Sequence, residues 1–575
     1  MTSLYAELDA RLATAFAAVA GRRSDPALRR SQRADFQADG SLAAARLASI
    51  PPRAFAESVV EAARLGDLCS RVEVAGPGFI NLTVRDDVLG RLAGAMAADA
   101  RLGVGLTASP DTVVVDYSGP NAAKEMHVGH LRSTIIGDSV VRLLEFRGHT
   151  VLRKNHLGEW GTPFGMLIER LLDVGEDEAA HELSVGDAGA FYKAARAKFE
   201  ADEAFRDRSR RRVVLLQGGD EATLRLWEVL VRESKRYLLA VYALLGVRLT
   251  AADFAGESSY NDMLAAVADE LDRLGLLRES EGAQCVFPEG FTGREGDPLP
   301  LIVRKSGGGF GYDATDLAAI RHRILDLHAN RLLYVIGLPQ HTHLAMVFRT
   351  ARDAGWAGPG IRVEHVGFGS ILGEDGKMLR SRAGVAVKLI DLLAEAVARA
   401  RAEVAKRNPG LGPESAAAVA RAVGIGAVKY ADLSTDRNKD YVFDYDRMLA
   451  FEGDTAPYLQ YAHARIHSIL GKAGIDVMAA TNAAIDVREP AEHDLTLALL
   501  GFPPVVEELE SSLEFHRLTG YLFALAAQFS VFYEKCPVLR AEPAVRASRL
   551  ALCALTARVL SQGLDLLGIE APTVM

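Results

Sequence analysis

The sequence has little cysteine, no long apolar run and no excess of positive charge. Its four cysteines, Cys69, Cys285, Cys536 and Cys553, form no Cys-x-x-Cys pair, which argues against structural zinc and a disulfide framework. No apolar run is long enough to span a bilayer, so we expect no membrane partner. The first residues lack the basic head and apolar core of a signal peptide. These absences favour a protein of the reducing cytoplasm.

The composition is that of an ordinary globular protein, with 49% hydrophobic and 25% charged residues. The net charge of −9 gives no support for nucleic-acid binding, although a local basic face could still bind RNA phosphates. A chain of 575 residues exceeds what one core supports, so we expect about three or four domains.

A strand, a turn and a helix start follow one another from Thr112 onward. The run Thr112-Val-Val-Val-Asp116 is short, apolar and β-branched, which predicts a buried strand. Ser118-Gly-Pro120 predicts a turn, and apolar residues then recur at helical spacing, which places a helix start near His127. Because the first N–H groups of a helix have no partner, the sequence predicts an anion site here.

Two histidines strengthen that prediction. His127 and His130 lie on one face of the first helical turn, and Gly129 leaves room for a ligand at the backbone. Two imidazoles with free N–H groups could grip the phosphates of ATP. The alternative is a buried strand–helix corner with two hydrogen-bonded histidines. The combination with Asn121 and Lys124 favours the nucleotide site.

The stretch Ser118-Gly-Pro-Asn-Ala-Ala-Lys-Glu-Met-His-Val-Gly-His-Leu-Arg-Ser133 closely resembles a family signature. It is similar to the His-x-Gly-His signature of class I aminoacyl-tRNA synthetases, in the form found in arginyl-tRNA synthetases. Similar blocks extend over nearly the whole chain. The resemblance implies that the histidines stabilise the pentavalent phosphorus during adenylate formation. The implied ATP-binding residues are Pro120, Asn121, His127, Gly129, His130, Lys377 and Met378.

A second block implies a site for the amino acid. Gly311-Tyr-Asp-Ala-Thr-Asp316 precedes an amphipathic helix, whose start Asp316 could simply cap. The resemblance instead assigns Tyr312 and Asp316 to L-arginine, with one acid facing the guanidinium and another the α-amino end. Which acid faces which end stays open. The implied arginine-binding residues are Asp116, Ser118, Asn121, Lys124, Tyr312, Asp316 and Gln340. His341-Thr-His343 shows no evident third ligand, so we predict no metal site there.

A glycine-rich loop with three cations, Gly373-Glu-Asp-Gly-Lys-Met-Leu-Arg-Ser-Arg382, could close over a triphosphate or could be a solvated basic loop. It resembles the second class I signature, Lys-Met-Ser-Lys-Ser, at Lys377 and Met378, but Arg380 replaces the second lysine. In arginyl enzymes without that second lysine, the lysine that precedes His-x-Gly-His is thought to take over its role, and in this sequence that residue is Lys124. It stays open whether Arg380 or Lys124 takes the role of the missing lysine. The predicted catalytic residues are Lys124, His127, His130, Lys377 and Arg380.

The resemblance implies a multidomain α/β protein. Its predicted parts are an N-terminal tRNA-elbow-binding α+β domain (1–110), a Rossmann-like parallel-sheet catalytic domain with helical insertions (111–387, insertion at about 170–300), a helical connecting region (388–450) and an α-helical anticodon-binding bundle (451–575). We place Leu301-Ile-Val303 and Leu332–Ile336 in the parallel sheet. The cluster Arg208, Arg210, Arg211 and Arg212 is either a solvated helix end or a contact with the tRNA acceptor stem.

The expected reaction is ATP-dependent activation of L-arginine to arginyl-adenylate, followed by transfer to the 3′ end of tRNA(Arg). We expect a monomer, with Mg²⁺ accompanying ATP. Two alternatives remain: a specialised or antagonist-resistant duplicate, and a class I enzyme for another amino acid.

Overall fold

The computed structural model describes residues 3–122, 124–175, 188–379 and 387–575. It divides into two compact units. The first contains the chain up to Leu106 together with Ala450–Asp565 and Glu570–Met575, and the second contains Thr107–Leu449 and Leu566–Ile569. None of the described helices is long and apolar enough to cross a membrane.

The strands are, in chain order, β1 (Leu28–Arg30), β2 (Phe36–Ala38), β3 (Cys69–Ala75), β4 (Phe79–Val84), β5 (Thr112–Asp116), β6 (Thr150–Lys154), β7 (Leu277–Ser280), β8 (Ala283–Val286), β9 (Leu301–Arg304), β10 (Arg331–Tyr334), β11 (Arg362–His365), β12 (Ile371–Leu372) and β13 (Tyr441–Val442).

The helices are α1 (Leu4–Ala20), α2 (Ser41–Ala48), α3 (Pro52–Ala63), α4 (Asp86–Ala98), α5 (Leu131–Arg147), α6 (Thr162–Val174), α7 (Ala188–Ala201), α8 (Glu203–Gln217), α9 (Glu221–Leu245), α10 (Asn261–Arg273), α11 (Tyr312–Leu325), α12 (His341–Asp353), α13 (Leu389–Arg407), α14 (Pro413–Leu433), α15 (Tyr445–Met448), α16 (Ala456–Ala473), α17 (Val477–Ala480), α18 (Pro490–Leu499), α19 (Phe502–Ser512), α20 (His516–Lys535) and α21 (Pro543–Leu566).

The centre of the second unit is a parallel sheet with the strand order β11-β10-β5-β6. Val113, Val114 and Val115 of β5 are fully buried, which explains the continuous β-branched run in the sequence. The register pairs Asp116 with Lys154 and with Tyr334. The polar residues that end these strands therefore meet at one edge, where open α/β sheets bind ligands.

The helix that follows β5 starts slightly later than predicted. A short 3₁₀ turn spans Val128–His130, and the regular helix α5 begins at Leu131. A Cβ on Gly137 would lie 2.3 Å from the Tyr117 side chain, so glycine is required for α5 to pack this closely on the end of β5. This packing holds the His127–His130 turn beside the sheet edge.

One strand prediction is wrong. Leu301-Ile-Val303 belongs to β9, which joins the antiparallel sheet β7-β8-β9 rather than the parallel sheet. Along β9, Leu301 and Val303 are buried while Ile302 is exposed, the alternation expected of a sheet with one solvated face. The prediction for Leu332–Ile336 is confirmed in part by β10, which begins one residue earlier, at Arg331, and ends at Tyr334.

The first unit combines an antiparallel sheet, β1-β2-β4-β3, with a C-terminal helical bundle. Within this sheet, β3 and β4 are antiparallel neighbours that flank the turn at Gly76-Pro-Gly78. His493, on α18 of the bundle, bonds two carboxylates of the N-terminal segment through its two ring nitrogens. Nδ1 lies 2.7 Å from Oδ1 of Asp86, and Nε2 lies 3.0 Å from Oδ1 of Asp35. We call this set the His493 clamp.

Candidate active site

A cavity of about 310 Å³ opens at the carboxyl ends of β5 and β10. The fold brings to its wall six of the residues predicted from sequence: Asp116, Ser118, Gly129, Tyr312, Asp316 and Gln340. His156, Tyr334 and His343 line it as well; none of them was predicted from the sequence to bind the substrate. The cavity therefore joins the turn after β5 to the starts of α11 and α12.

Asp116 carries an ion pair with a residue of the protein itself. Its Oδ2 lies 2.7 Å from Nη2 of Arg323, and the two side chains are 7% and 1% exposed. The Arg323 guanidinium also lies 5.1 Å from the ring centre of Tyr334, the sheet neighbour of Asp116. The charge of Asp116 is therefore largely balanced inside the protein.

Asp316 is more open. Its side chain is 27% exposed, and its Oδ2 lies 2.7 Å from Nε2 of His343. Burial lowers the pKa of His343, but the hydrogen bond to Asp316 and the charges of Asp316 and Asp313 outweigh burial and leave it raised. Since α11 begins at Tyr312, Asp316 lies beyond the first turn and contacts His343 rather than the helix N-terminus. This geometry does not support the capping alternative.

The His-x-Gly-His turn holds its two imidazoles in one tautomer. Nδ1 of His130 accepts a hydrogen bond from the His127 N–H at 3.2 Å, and Nδ1 of His127 accepts one from the Gly129 N–H at 3.1 Å. In a neutral imidazole whose Nδ1 accepts, the proton sits on Nε2. Both histidines can therefore donate Nε2–H to an anion. A Cβ on Gly129 would lie 2.8 Å from the His127 ring, so glycine is required here.

The surroundings keep both imidazoles neutral. Burial, together with the neighbouring His127 and Lys124, lowers the pKa of His130 to about 4. Burial and Lys124 likewise lower the pKa of His127. At neutral pH both imidazoles are therefore uncharged, and each can donate its Nε2–H to a phosphate oxygen without first changing its protonation state.

The segment before the turn is fixed by the loop after β6. Ala122 donates its N–H to the Gly158 carbonyl at 2.8 Å, and Gly158 donates to the Pro120 carbonyl at 3.2 Å. The side-chain oxygen of Asn121 would lie 2.3 Å from a Cβ at residue 158, so Gly158 must be glycine. Pro120 and Asn121 are thus placed beside the loop that follows β6.

Ser118 has a strained backbone, with φ at +73°, where non-glycine residues are uncommon. Its N–H donates to Oγ of Ser133 at 2.9 Å, and its Oγ lies 2.8 Å from the Tyr242 hydroxyl. Asn155 donates to the same hydroxyl at 2.9 Å and accepts from the Gly119 N–H at 3.1 Å. This buried polar network shapes the cavity wall.

The predicted cations lie outside the cavity wall. Nζ of Lys124 lies 4.7 Å from the ring centre of Tyr192. Lys377 and the half-exposed Met378 are on a hairpin closed by hydrogen bonds between Gly373 and Lys377 (2.8 Å) and between Leu379 and Ile371 (3.1 Å). Arg380 lies outside the described residues, as does the predicted acidic loop beyond Gly175.

The chain that follows the second signature is tied to the first one. The Val128 N–H donates to the Val387 carbonyl at 3.0 Å, and the Leu389 N–H donates to the Met126 carbonyl at 2.8 Å. Nζ of Lys388 lies 2.9 Å from a carboxylate oxygen of Glu125. The backbone at Val387–Leu389 is therefore fastened to the start of the first signature.

Two buried carboxylates near the cavity were missed by sequence reasoning. Burial raises the pKa of both Glu159 and Glu257, and Asp316 lies close enough to Glu257 to raise it further. A Cβ on Gly256 would collide with Glu159, at 1.9 Å. No local pattern in the sequence marks Glu159 or Glu257 as a residue of the site.

The arginine cluster on α8 is partly used within the protein. Arg212 pairs with the buried Glu169 at 2.7 Å, and Arg208 pairs with Asp173 at 3.0 Å. These two arginines fasten α8 to α6. For these two arginines the structure shows ion pairs within the protein, which neither of the two predicted alternatives had included.

Three family models match the chain. The model "tRNA synthetases class I (R), catalytic domain" matches residues 92–445. The chain belongs to the arginyl-tRNA synthetase family. The model of the arginyl-tRNA synthetase N-terminal domain matches residues 6–84, and that of the DALR anticodon-binding domain matches residues 459–575.

Relatives agree with this family over the full length. An arginine–tRNA ligase of Thermobifida fusca is 56% identical over 96% of both chains, and one of Streptomyces coelicolor is 47% identical over 100% of this chain and 99% of its own. The arginyl-tRNA synthetase structures of Plasmodium falciparum and Thermus thermophilus superpose over 100% of both chains, with TM-scores of 0.85 and 0.83 and identities of 28% and 26%. As a class I synthetase of this family, the chain is an arginine–tRNA ligase with ATP as a substrate.

Proposed function

We propose that this synthetase forms arginyl-adenylate in the cavity at the carboxyl ends of β5 and β10. The α-carboxylate of L-arginine attacks the α-phosphorus of ATP, and pyrophosphate leaves. A 3′-terminal ribose hydroxyl of tRNA(Arg) then attacks the activated carbonyl, and AMP leaves. The observation that carries the proposal is the pair of neutral Nε2–H donors beside a cavity that also holds an open carboxylate, Asp316. Such fixed donors stabilise charge as it develops on phosphate oxygens.

The guanidinium of the substrate binds Asp316, with the exposed Tyr312 beside it. A planar carboxylate matches the guanidinium donors, and Asp316 is the more open of the two predicted acids. Gln340, Asn121 and Ser118 bind the α-amino end.

Lys124 and Lys377 neutralise the triphosphate. Lys124 rests on the ring of Tyr192, a contact worth roughly 0.5–1 kcal/mol at an exposed site. An ion pair with a desolvated phosphate is stronger, so the lysine would leave the ring when ATP binds. Arg380 is the competing candidate for the same charge.

Mg²⁺ enters with ATP, because this ion keeps several waters and is usually held through substrate phosphates. Among the described residues, no group of three or more His, Cys, Asp or Glu is placed to hold a metal. Magnesium would therefore be held by the phosphates of the substrate rather than by a site of the protein.

The proposed division of labour follows the predicted domains. Residues 1–110 contact the tRNA elbow, and residues 451–575 bind the anticodon, where Tyr461 is 45% exposed and could stack on a base. A monomer in the cytoplasm completes the proposal, and the four free, buried cysteines suit a reducing compartment. Light scattering of the purified protein tests the monomer.

The direct test is aminoacylation with arginine, ATP and tRNA(Arg), repeated with arginine analogues to detect an antagonist-resistant copy. Lys124→Ala should lower the charging rate about as much as loss of a phosphate-binding histidine. Arg380→Ala is the paired variant. A much larger loss in Arg380→Ala than in Lys124→Ala would assign the missing lysine's role to Arg380 instead.

A further inference from the structure

Beneath the arginine cavity lies an arginine of the protein. Arg323 is fully buried on α11, and its guanidinium is paired with Asp116 at 2.7 Å. Arg323 follows Asp316 by two helical turns, so both lie on the same face of α11, roughly 10 Å apart along its axis. One face of α11 thus carries both Asp316, a partly exposed acid bonded to His343, and Arg323, the partner of the second acid, Asp116.

L-Arginine has a cation at each end, the guanidinium and the α-ammonium. A cavity with two open acids would accept its guanidinium at either one. In the proposed function ATP binds at the His127–His130 turn, which follows β5 and Asp116 in the chain. The α-carboxylate of arginine reaches ATP only when the guanidinium, at the other end of the substrate, binds Asp316. A guanidinium on Asp116 would occupy that end of the cavity and could not react.

We propose that Arg323 is a positioning residue that sets the direction of L-arginine by occupying Asp116, which leaves Asp316 as the acid open to the substrate guanidinium. This inference rests on the proposed function of the cavity. To bind Asp116, a substrate would have to break a buried ion pair, which typically costs about 3–5 kcal/mol. That cost corresponds to discrimination of more than a hundredfold against the reversed direction.

The test uses Arg323→Gln in the full-length enzyme, with L-arginine, ATP and tRNA(Arg). Freed from its partner, Asp116 would bind the guanidinium of reversed arginine. Non-productive binding lowers kcat and KM together, so both should fall about tenfold for arginine while kcat/KM stays within about threefold. The KM for ATP should stay within about threefold. The double variant Asp116→Asn/Arg323→Gln removes the competing acid and should restore kcat and KM.

Arg331→Gln is the matched control. Arg331 is also buried in the sheet and paired with an acid, Glu364 at 2.8 Å, but it lies at the opposite end of β10. Its loss should lower the melting temperature and leave both kinetic constants for arginine unchanged.

Two outcomes would overturn the proposal. One is a drop in kcat/KM of Arg323→Gln that the double variant does not repair, which would assign Arg323 a purely structural part. The other is wild-type kinetics in Arg323→Gln.

If Arg323→Gln does not fold, the kinetics of the double variant test the proposal instead. A KM for arginine near the wild-type value supports the proposal, whereas a hundredfold higher KM shows that Asp116 itself binds the substrate. A wild-type enzyme that does not charge arginine would refute the proposed function, whatever the variants do.

Discussion

The two units use histidine and aspartate in opposite ways. In the second unit, which contains the candidate active site and is called the catalytic unit below, His130 accepts a hydrogen bond from a backbone N–H, and burial lowers its pKa to about 4. In the other unit, the hydrogen bond to Asp35 and a second one to Asp86 raise the pKa of His493 to about 9. The first histidine is neutral with a free donor, and the second is charged with both nitrogens engaged.

The carboxylates repeat the contrast. Asp35 and Asp86 share one imidazole, that of His493, whereas Asp316 bonds the imidazole of His343 and also lines the cavity. In the proposed assignment, Asp316 serves the ligand, and the two carboxylates of the clamp serve stability. Removing a member of each class should therefore affect different measurements, activity in one case and stability in the other.

The largest expected effect is that of Asp316→Asn. This change keeps the shape and removes the charge that pairs with the substrate guanidinium, so kcat/KM for arginine should fall by an amount equivalent to about 2–5 kcal/mol. Steady-state charging measures it, and the KM for ATP should change far less. Asp313→Asn is the matched control on the same helix. Asp313 accepts the Ile302 N–H at 2.7 Å, a bond that an asparagine oxygen can also accept, so this change should preserve the helix start and spare arginine use. Wild-type kinetics in Asp316→Asn would place the guanidinium elsewhere.

His130→Asn should lower the rate of adenylate formation by roughly 10²–10³-fold. An asparagine side chain can still accept the His127 N–H, as Nδ1 does, but it has no group at the Nε2 position. The turn should therefore survive, with an unchanged melting temperature, while the phosphate donor is lost. Single-turnover charging in rapid-quench experiments measures the rate. A variant that is as fast as the wild type would show that His130 only shapes the turn.

The smallest expected effect is on pH-dependent stability through His493. Its folded pKa of about 9 exceeds the unfolded value of 6.5, so the clamp stabilises the protein fully below about pH 6.5. That contribution is lost as the pH rises through 9. Because Asp86 is exposed, we expect a modest amount, about 1–2 kcal/mol.

His493→Gln should therefore lower the melting temperature at pH 6 and have little effect at pH 10. Differential scanning calorimetry of both proteins across this range measures the difference, in which the titration of other groups cancels. A difference that does not depend on pH would mean that His493 contributes by packing and not by charge.

Local signals predicted much of the catalytic unit. The β-branched run that became β5, the turn at Ser118 and the histidines three residues apart all depend on contacts between near neighbours in the chain. The same reasoning failed for Leu301-Ile-Val303, because a three-residue apolar run does not reveal which partner strand it will find. Similarly, nothing in the sequence of the cluster Arg208–Arg212 predicted that Arg212 would form an ion pair with Glu169.

The sequence alone determined the family and six of the residues that line the cavity, because motifs and hydrophobic periodicity depend on short stretches of chain. Only the tertiary structure decided how the charges are distributed. Asp116 and Asp316 are equivalent carboxylates in the sequence, and they differ because α11 brings Arg323 to one and leaves the other beside His343. Burial and pairing depend on contacts between distant residues, so they become defined only when the chain folds.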